Sequence, residues 1–253
     1  MKISVITTCY NRKNTIASAL ESMLSQDYAD KEYVVIDGGS KDGSAEMISR
    51  YKNCLQFFVS EKDTGMYNAL NKGIKNCTGD VIGLLHSDDF FYAENTLSQI
   101  AEVFKTTNAD IVYANGMYVD GEDLANVKRI YTAKPFQQSD LKYGWIPLHT
   151  TIFAKREVFE KYGLYREDFQ IASDYEISLR WFTNAKLKKV FLDKWVVKMR
   201  LGGKSTDMQQ QKRKSAEDLQ IISEYNLPGK FTLASKIIRK IPQYILPRIK
   251  KYQ

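Results

Sequence analysis

The segment Val81-Ile82-Gly83-Leu84-Leu85 is a short apolar run that stops at two adjacent carboxylates, Asp88 and Asp89. Its length and bounding Gly79 suit a strand buried on both faces. Open α/β sheets bind ligands at the carboxyl ends of their strands. Two neighbouring acids repel each other there unless a cation sits with them. A divalent Mg²⁺ or Mn²⁺ is the natural candidate, and it typically brings a diphosphate. Taken alone, the pair reads equally well as the start of a turn before Phe90-Phe91-Tyr92.

The rest of the first half repeats the strand signal between helical ones. Apolar runs at 3–7, 33–36, 55–59, 81–85 and 111–113 alternate with helical patterns. The first of these patterns carries Ile16, Ala19, Leu20, Met23 and Leu24. Helices follow at 42–51, 66–74 and 97–104. Such alternation predicts an α/β fold, a Rossmann-like, mostly parallel sheet with helices on both faces. Beyond residue 114 it loosens. A hairpin or irregular excursion is expected at 116–131, and helices at 155–162, 175–182 and 208–225. The expected division is one domain over 1–228, with halves at 1–114 and 115–228, and an appendage at 229–253.

Charge marks that last boundary. The net charge is +7, and seven basic residues in 229–253, with no acid, account for all of it. The charge-balanced body argues against nucleic acid as a partner. Cys9, Cys54 and Cys77 show no paired spacing and read as reduced core residues in a cytoplasmic setting. Two histidines cannot build a His-rich zinc site. No apolar run reaches the roughly 20 residues of a membrane span, and the first residues do not read as a signal peptide.

Three acidic strand ends fall on one sheet edge: Asp37, Asp63 and the Asp88/Asp89 pair. Tyr10, after the first strand, offers a flat face to a nucleobase. Asp37 offers an acceptor for a base imide or ribose hydroxyl. Each acid taken singly suits a helix cap or turn; their joint placement carries the weight. Phosphate-binding glycine motifs are absent, and Gly203-Lys204-Ser205 lacks the earlier glycine of a P-loop. A diphosphate would therefore be held by metal and basic side chains.

Val5-Ile6-Thr7-Thr8-Cys9-Tyr10-Asn11, Val35-Ile36-Asp37-Gly38-Gly39-Ser40, Glu61-Lys62-Asp63-Thr64-Gly65-Met66-Tyr67-Asn68, the 79–89 segment and Ala172-Ser173-Asp174-Tyr175-Glu176 together resemble the family 2 glycosyltransferases, in that family's order over roughly 1–225. The resemblance implies a GT-A fold, a nucleotide-diphosphate sugar donor (a UDP-sugar favoured), a divalent cation and inversion at the anomeric carbon. By position, it implies that Thr8, Tyr10 and Asp37 bind the nucleoside and that Asp63 and Lys72 line the donor site. Asp88 would approach ribose or metal, Asp89 would be the metal ligand, and Asp174 the general base. Trp145 and His149 precede the stretch where the family's acceptor side begins; a core role suits either as well. Ser173, Glu176, Asn68 and His86 depart from the family's common residues. No Gln-x-x-Arg-Trp signature is present, which argues for single addition rather than processive synthesis.

The appendage spaces Ile237, Ile238, Ile241, Tyr244, Ile245 and Ile249 helically between Lys and Arg, with Pro242 and Pro247 expected to break it into pieces. A basic amphipathic segment suits an anionic membrane surface; docking of these isoleucines on the body is the alternative. The expected function is transfer of one sugar to a glycan or lipid-linked acceptor in cell-surface polysaccharide synthesis, by a cytoplasmic protein peripheral to the inner membrane face. A polyprenyl-phosphate sugar synthase and a catalytically silent sugar-nucleotide-binding scaffold are the other readings.

Overall fold

Four of the apolar runs become one end of a nine-stranded sheet. In the computed structural model, which describes residues 1–201 and 208–249, β1 (Ile3–Cys9), β2 (Lys31–Asp37), β3 (Phe57–Ser60) and β4 (Val81–Leu84) pair in parallel in the order β3-β2-β1-β4. Every residue of β4, and all but one residue in each of β1 and β2, is buried, as a strand covered on both faces requires. The sheet continues through β8 (Phe153–Lys155), β6 (Ile111–Val119), β9 (Lys189–Arg200) and β5 (Asp89–Phe91), with β7 (Val127–Tyr131) hairpinned onto β6. Strands β1–β4, β6 and β9 run one way, and β5, β7 and β8 run against them. The hairpin expected at 116–131 is the β6–β7 pair. β5, β8 and β9 have no counterpart among the expected strands.

Helices cover both faces. On one side lie α1 (Ile16–Leu24), α2 (Ser44–Ser49) and α4 (Thr96–Thr107), whose Ile16, Leu20, Ile48, Leu97 and Ile100 share a core with Val5, Val35 and Val81. On the other lie α3 (Met66–Lys75), α5 (Arg156–Tyr162), α6 (Ser173–Thr183) and α7 (Met208–Glu224), with Leu70, Phe159, Leu179 and Ile222 against Ile6, Ile36 and Ile82. The period-3.6 stripes and the alternating faces of the strands thus bury the same side chains from both directions.

The C-terminal segment forms α8 (Gly229–Ile238) and α9 (Ile241–Ile249). The break falls at Arg239-Lys240, just before Pro242, but α9 runs on through Pro247. Pro247, in the last turn, has no N–H for the Gln243 carbonyl, so α9 lacks that one backbone bond. α8 docks by polar and small groups. The buried Thr232 hydroxyl donates to the Lys142 carbonyl (2.8 Å), and Lys236 pairs with Asp218 of α7 (2.8 Å). Gly144 is needed at this contact for two reasons. Its φ is +66°, and a Cβ there would stand 2.7 Å from Lys236 Cβ and 2.8 Å from the Thr232 carbonyl oxygen. The isoleucines do not dock on the body: Ile237, Ile238, Ile241, Ile245 and Ile249 are all exposed, Ile249 to 77%. Cys9 and Cys77 are buried as expected, whereas Cys54 is exposed in a 3-10 turn and is not a core residue. The Gly203-Lys204-Ser205 triplet and Lys250 and Lys251 lie outside the described residues.

Candidate active site

The register of the parallel strands sets the first half of the site. Cys9 pairs with Asp37 and Asp37 with Ser60, so three strand ends finish level. The Asp37 carboxylate is wholly buried. It accepts hydrogen bonds from the Ser40 amide (2.9 Å), the Ser40 hydroxyl (2.5 Å), the Gly39 amide (3.2 Å) and the Ser60 hydroxyl (2.6 Å). The Asp-Gly-Gly-Ser turn is thereby fixed against β3. Asp63 rests on this turn so closely that a Cβ at Gly38 would lie 2.3 Å from its Oδ2. Burial, and then the nearby Asp37, raise the Asp63 carboxyl above its ordinary range, against Lys72. Lys72 itself pairs with Glu61 at 2.6 Å. Thr8 is half-buried on β1, and Tyr10 is 50% exposed at its end. The structure therefore gathers Thr8, Tyr10, Asp37, Asp63 and Lys72 at one edge.

β4 delivers His86-Ser87-Asp88-Asp89 to the same edge. Asp88 faces Arg12 (3.6 Å), and its carbonyl accepts from Arg200 Nη1 (2.8 Å). Asp89 begins β5, 1% exposed, and its Oδ2 has no hydrogen-bond partner among the described residues. Burial, then the charge of Asp88, push its carboxyl well above the usual carboxylate range. A buried, unsatisfied carboxylate oxygen beside a second carboxylate fits a cation. No three metal-ligating side chains converge among the described residues. A hard divalent ion held by one or two carboxylates and completed by substrate phosphates needs no such cluster.

Asp174 stands on the second residue of α6, facing this edge. It is not the helix cap. Ala172 occupies that position, and Glu217 of α7 accepts from the amides of Gln170 (3.1 Å), Ile171 (2.9 Å) and Ala172 (2.9 Å). Glu217 thus satisfies the amides leading into α6. Asp174 Oδ1 accepts the Tyr175 amide at 2.9 Å, while Oδ2 lies 3.4 Å from His149 Nδ1. Burial alone would raise its pKa; Lys214, His149 and Lys236 outweigh that and hold it below the usual carboxylate value. Lys236, from α8, lies 3.2 Å from the centre of the Tyr175 ring.

The donor-side acid Asp89 and Asp174 both lie within electrostatic reach of one phenol. Burial raises Tyr118 to about 12, Arg129 opposes this, and the charges of Asp89 and Asp174 both add to it. Arg129 in turn is flanked by the Tyr118 and Tyr244 rings, 4.6 and 5.1 Å away, and bonds Gln243 of α9. Trp145 is placed differently from His149. It is 2% exposed, edge-on to Tyr113 and Phe182 and stacked on Phe136, so its indole is a core side chain with no open face for a sugar. His149 instead meets His86, Nε2 to Nε2, at 2.9 Å. Reading the sequence did not single out Arg12, Arg200, Glu217 or a role for His86. Arg200 sits on a strand whose charges hid it, and the others depend on contacts distant along the chain.

The family model described as glycosyl transferase family 2 matches residues 4–163, more than half of the chain. Among curated relatives, an uncharacterised glycosyltransferase of Rickettsia typhi is 30% identical over 201 residues, 76% of this chain and 61% of that protein. A glycosyltransferase of Mycobacterium bovis named for PGL/p-HBAD biosynthesis is 26% identical over 188 residues, 73% of this chain and 71% of its own length. The chain thus spans under two thirds of the Rickettsia relative. Solved structures share the fold. S. aureus TarS in complex with UDP-GlcNAc superposes with a TM-score of 0.70 at 20% identity, over 93% of this chain and 69% of that one. A Pyrobaculum calidifontis mannosyltransferase in complex with GDP-Man and Mn²⁺ gives 0.67 at 18%, over 97% and 73%. The sheet with its flanking helices is accordingly of the GT-A type, and the chain belongs to glycosyl transferase family 2.

Proposed function

We propose that this protein transfers one sugar from a nucleotide-diphosphate sugar, a UDP-sugar favoured, to an acceptor hydroxyl with inversion. The carrying observation is Asp174. It stands in the first turn of α6, is held ionised by Lys214 and Lys236, and faces His149, which meets His86 beside the Asp88–Asp89 turn. A base with its pKa below neutrality is ready to take a proton at pH 7. The TarS and mannosyltransferase complexes support a nucleotide-sugar donor at the strand edge.

In this reading residues 1–114 supply most of the donor side. Thr8 and Tyr10 meet the nucleoside, beside the turn that the buried Asp37 holds with its four hydrogen bonds. Asp63 and Lys72 line the donor site, and Arg12 and Arg200 offer positive charge to the diphosphate. Asp89, with Asp88 beside it, would hold Mn²⁺ or Mg²⁺, which when bound neutralises charge on the leaving diphosphate. Residues 115–228 supply the acceptor side. Asp174 removes the acceptor proton, the freed oxygen bonds to the anomeric carbon, and the carbon–oxygen bond to the diphosphate breaks with its electron pair going to the leaving group.

The acceptor in this reading is a lipid-linked glycan of cell-surface polysaccharide synthesis. Its support is the tail. Among the described residues, eight of the thirteen exposed large hydrophobics lie in 231–249, so the exposed apolar surface is concentrated rather than scattered. Lys230, Arg239 and Arg248 flank it, exposed, with no acid. No helix among the described residues is long and apolar enough to cross a membrane. An interfacial seat on the anionic inner leaflet suits this face.

Calorimetric titration with a UDP- and GDP-sugar panel, with Mn²⁺ and then with EDTA, tests the donor site. Cation-dependent binding of one donor that Asp89→Ala abolishes is the expected result. No binding of any donor would overturn it. Retained turnover in Asp174→Asn would move the reading to a phosphate acceptor, which needs no strong base.

A further inference from the structure

His86 and His149 come from different parts of the chain, the β4–β5 loop and the 3-10 turn His149–Thr151, yet their rings meet beside Asp174. Their centroids are 5.2 Å apart and tilted by 55°. Nε2 faces Nε2 at 2.9 Å, and the remaining His149 nitrogen, Nδ1, faces Asp174 Oδ2 at 3.4 Å. This arrangement leaves one proton assignment. A carboxylate only accepts, so His149 Nδ1 carries the hydrogen. A neutral imidazole then presents a bare Nε2, and His86 must donate its Nε2–H to it. The reverse would oppose two lone pairs. A doubly protonated His149 would set two N–H groups against each other. Burial favours the neutral ring in His149, taking it down to about 4 against the pull of Asp174.

We propose that His149 and His86 are positioning residues for the general base: His149 Nδ1–H engages Asp174 Oδ2, His86 Nε2–H fixes the tautomer of His149, and the carboxylate, whose Oδ1 accepts the Tyr175 amide, is held in one orientation for the acceptor hydroxyl. This rests on the reading of Asp174 as the base. The relay has a further property. The His86 carbonyl accepts the Asp89 amide at 3.0 Å, so the residue that ends the relay also shapes the turn carrying Asp88 and Asp89. The base is thereby indexed to the donor-side acids through two imidazoles rather than through the α6 backbone alone. Catalytic hydrogen bonds are often long without substrate, so the 3.4 Å contact is expected to tighten in the complex.

The chain has only two histidines, which makes the test direct. In ¹⁵N-histidine-labelled protein at pH 7.5, with His86→Gln giving the assignment, long-range ¹H–¹⁵N spectra should show His149 as the Nδ1–H tautomer and His86 as Nε2–H. Asp174→Ala should release His149 into a tautomer mixture. An Nε2–H His149, or an unchanged spectrum in Asp174→Ala, overturns the proposal. So do coordinated-nitrogen shifts of both rings on adding Zn²⁺ alone, which would assign the pair to a cation.

Turnover of the donor found by calorimetry gives the second arm. His149→Leu should lower kcat about 10- to 100-fold, as loss of an orienting partner does, with the donor KM unchanged and partial rescue in His149→Gln. Full kcat in His149→Leu overturns the relay alone if Asp174→Ala is still dead. Full turnover in Asp174→Ala would instead remove the base reading on which the relay rests.

Discussion

Replacing His149 with Asn should change how the protein responds to acid, and the size of the effect follows from burial. The imidazole is held neutral, its pKa taken from 6.5 to about 4 by desolvation, which the Asp174 charge only partly opposes. Above pH 6.5 neither folded nor unfolded chain protonates it, and it contributes no pH dependence. Between 6.5 and 4 the unfolded chain takes up a proton that the folded one refuses, so stability falls as pH falls. At about 1.4 kcal/mol per unit the full loss is about 3 kcal/mol, and roughly 2 kcal/mol of it has accrued by pH 5. His149→Asn lacks that proton. At pH 7.5 the variant should be the weaker protein, through a lost contact with His86 and a smaller side chain. Toward pH 5 its deficit should shrink by about 2 kcal/mol. Urea unfolding of both proteins at pH 7.5, 6.5, 5.5 and 5.0 gives the double difference, in which groups common to both cancel. A deficit that changes by less than about 0.5 kcal/mol over this range would refute the idea that the ring is buried and neutral.

Gly83→Ala would place a Cβ 2.1 Å from Phe153 Cε1 inside the β4–β8 contact, and should cost about 3 kcal/mol in urea unfolding, partly recovered by Phe153→Leu. Asp89→Asn should stabilise the apo protein by about 1–3 kcal/mol at pH 8 by removing a buried unpaired charge. Because its folded pKa is raised, that gain should fade as pH drops to the ordinary carboxylate range, while cation-dependent donor binding is lost at every pH. Ile241→Asp with Ile245→Asp, both on the exposed α9 face, should abolish co-sedimentation with phosphatidylglycerol vesicles and leave donor binding intact. Unchanged sedimentation of that variant would count against the membrane seat.

The legible part of the fold is the part buried on both faces. β1, β2 and β4 show in sequence because each centres on a buried apolar run. β9 does not: Lys189, Asp193, Lys194, Lys198 and Arg200 break its apolar residues, since its hairpin-side half faces solvent and Phe90. β5 and β8 are three residues each and owe their conformation to their partners. At the site, Asp37, Asp63, Asp88, Asp89 and Asp174 were visible as acids at strand and helix ends. That Asp37 spends its oxygens on its own turn was not. The His86–His149 contact spans 63 residues and Glu217 reaches back 45 to Ala172, distances over which no periodicity speaks. Trp145 shows the converse: an aromatic beside polar residues suits a sugar platform and a core equally, and Tyr113, Phe136 and Phe182 decide for the core.

Lys236 gives the tail two separable sides. Its stem and ammonium lie over Tyr175, beside Asp174, and its charge helps keep that acid ionised, while burial takes its own pKa to about 8. A form shortened at residue 228 would therefore gain solubility and at the same time become a different catalyst, with a more basic Asp174 and an exposed Gly144 surface. Anyone wanting a tractable protein should repaint the outward isoleucines and keep the inward threonine and lysine, because α8 is packed into the body beside Tyr175 as firmly as the outer face is turned away from it.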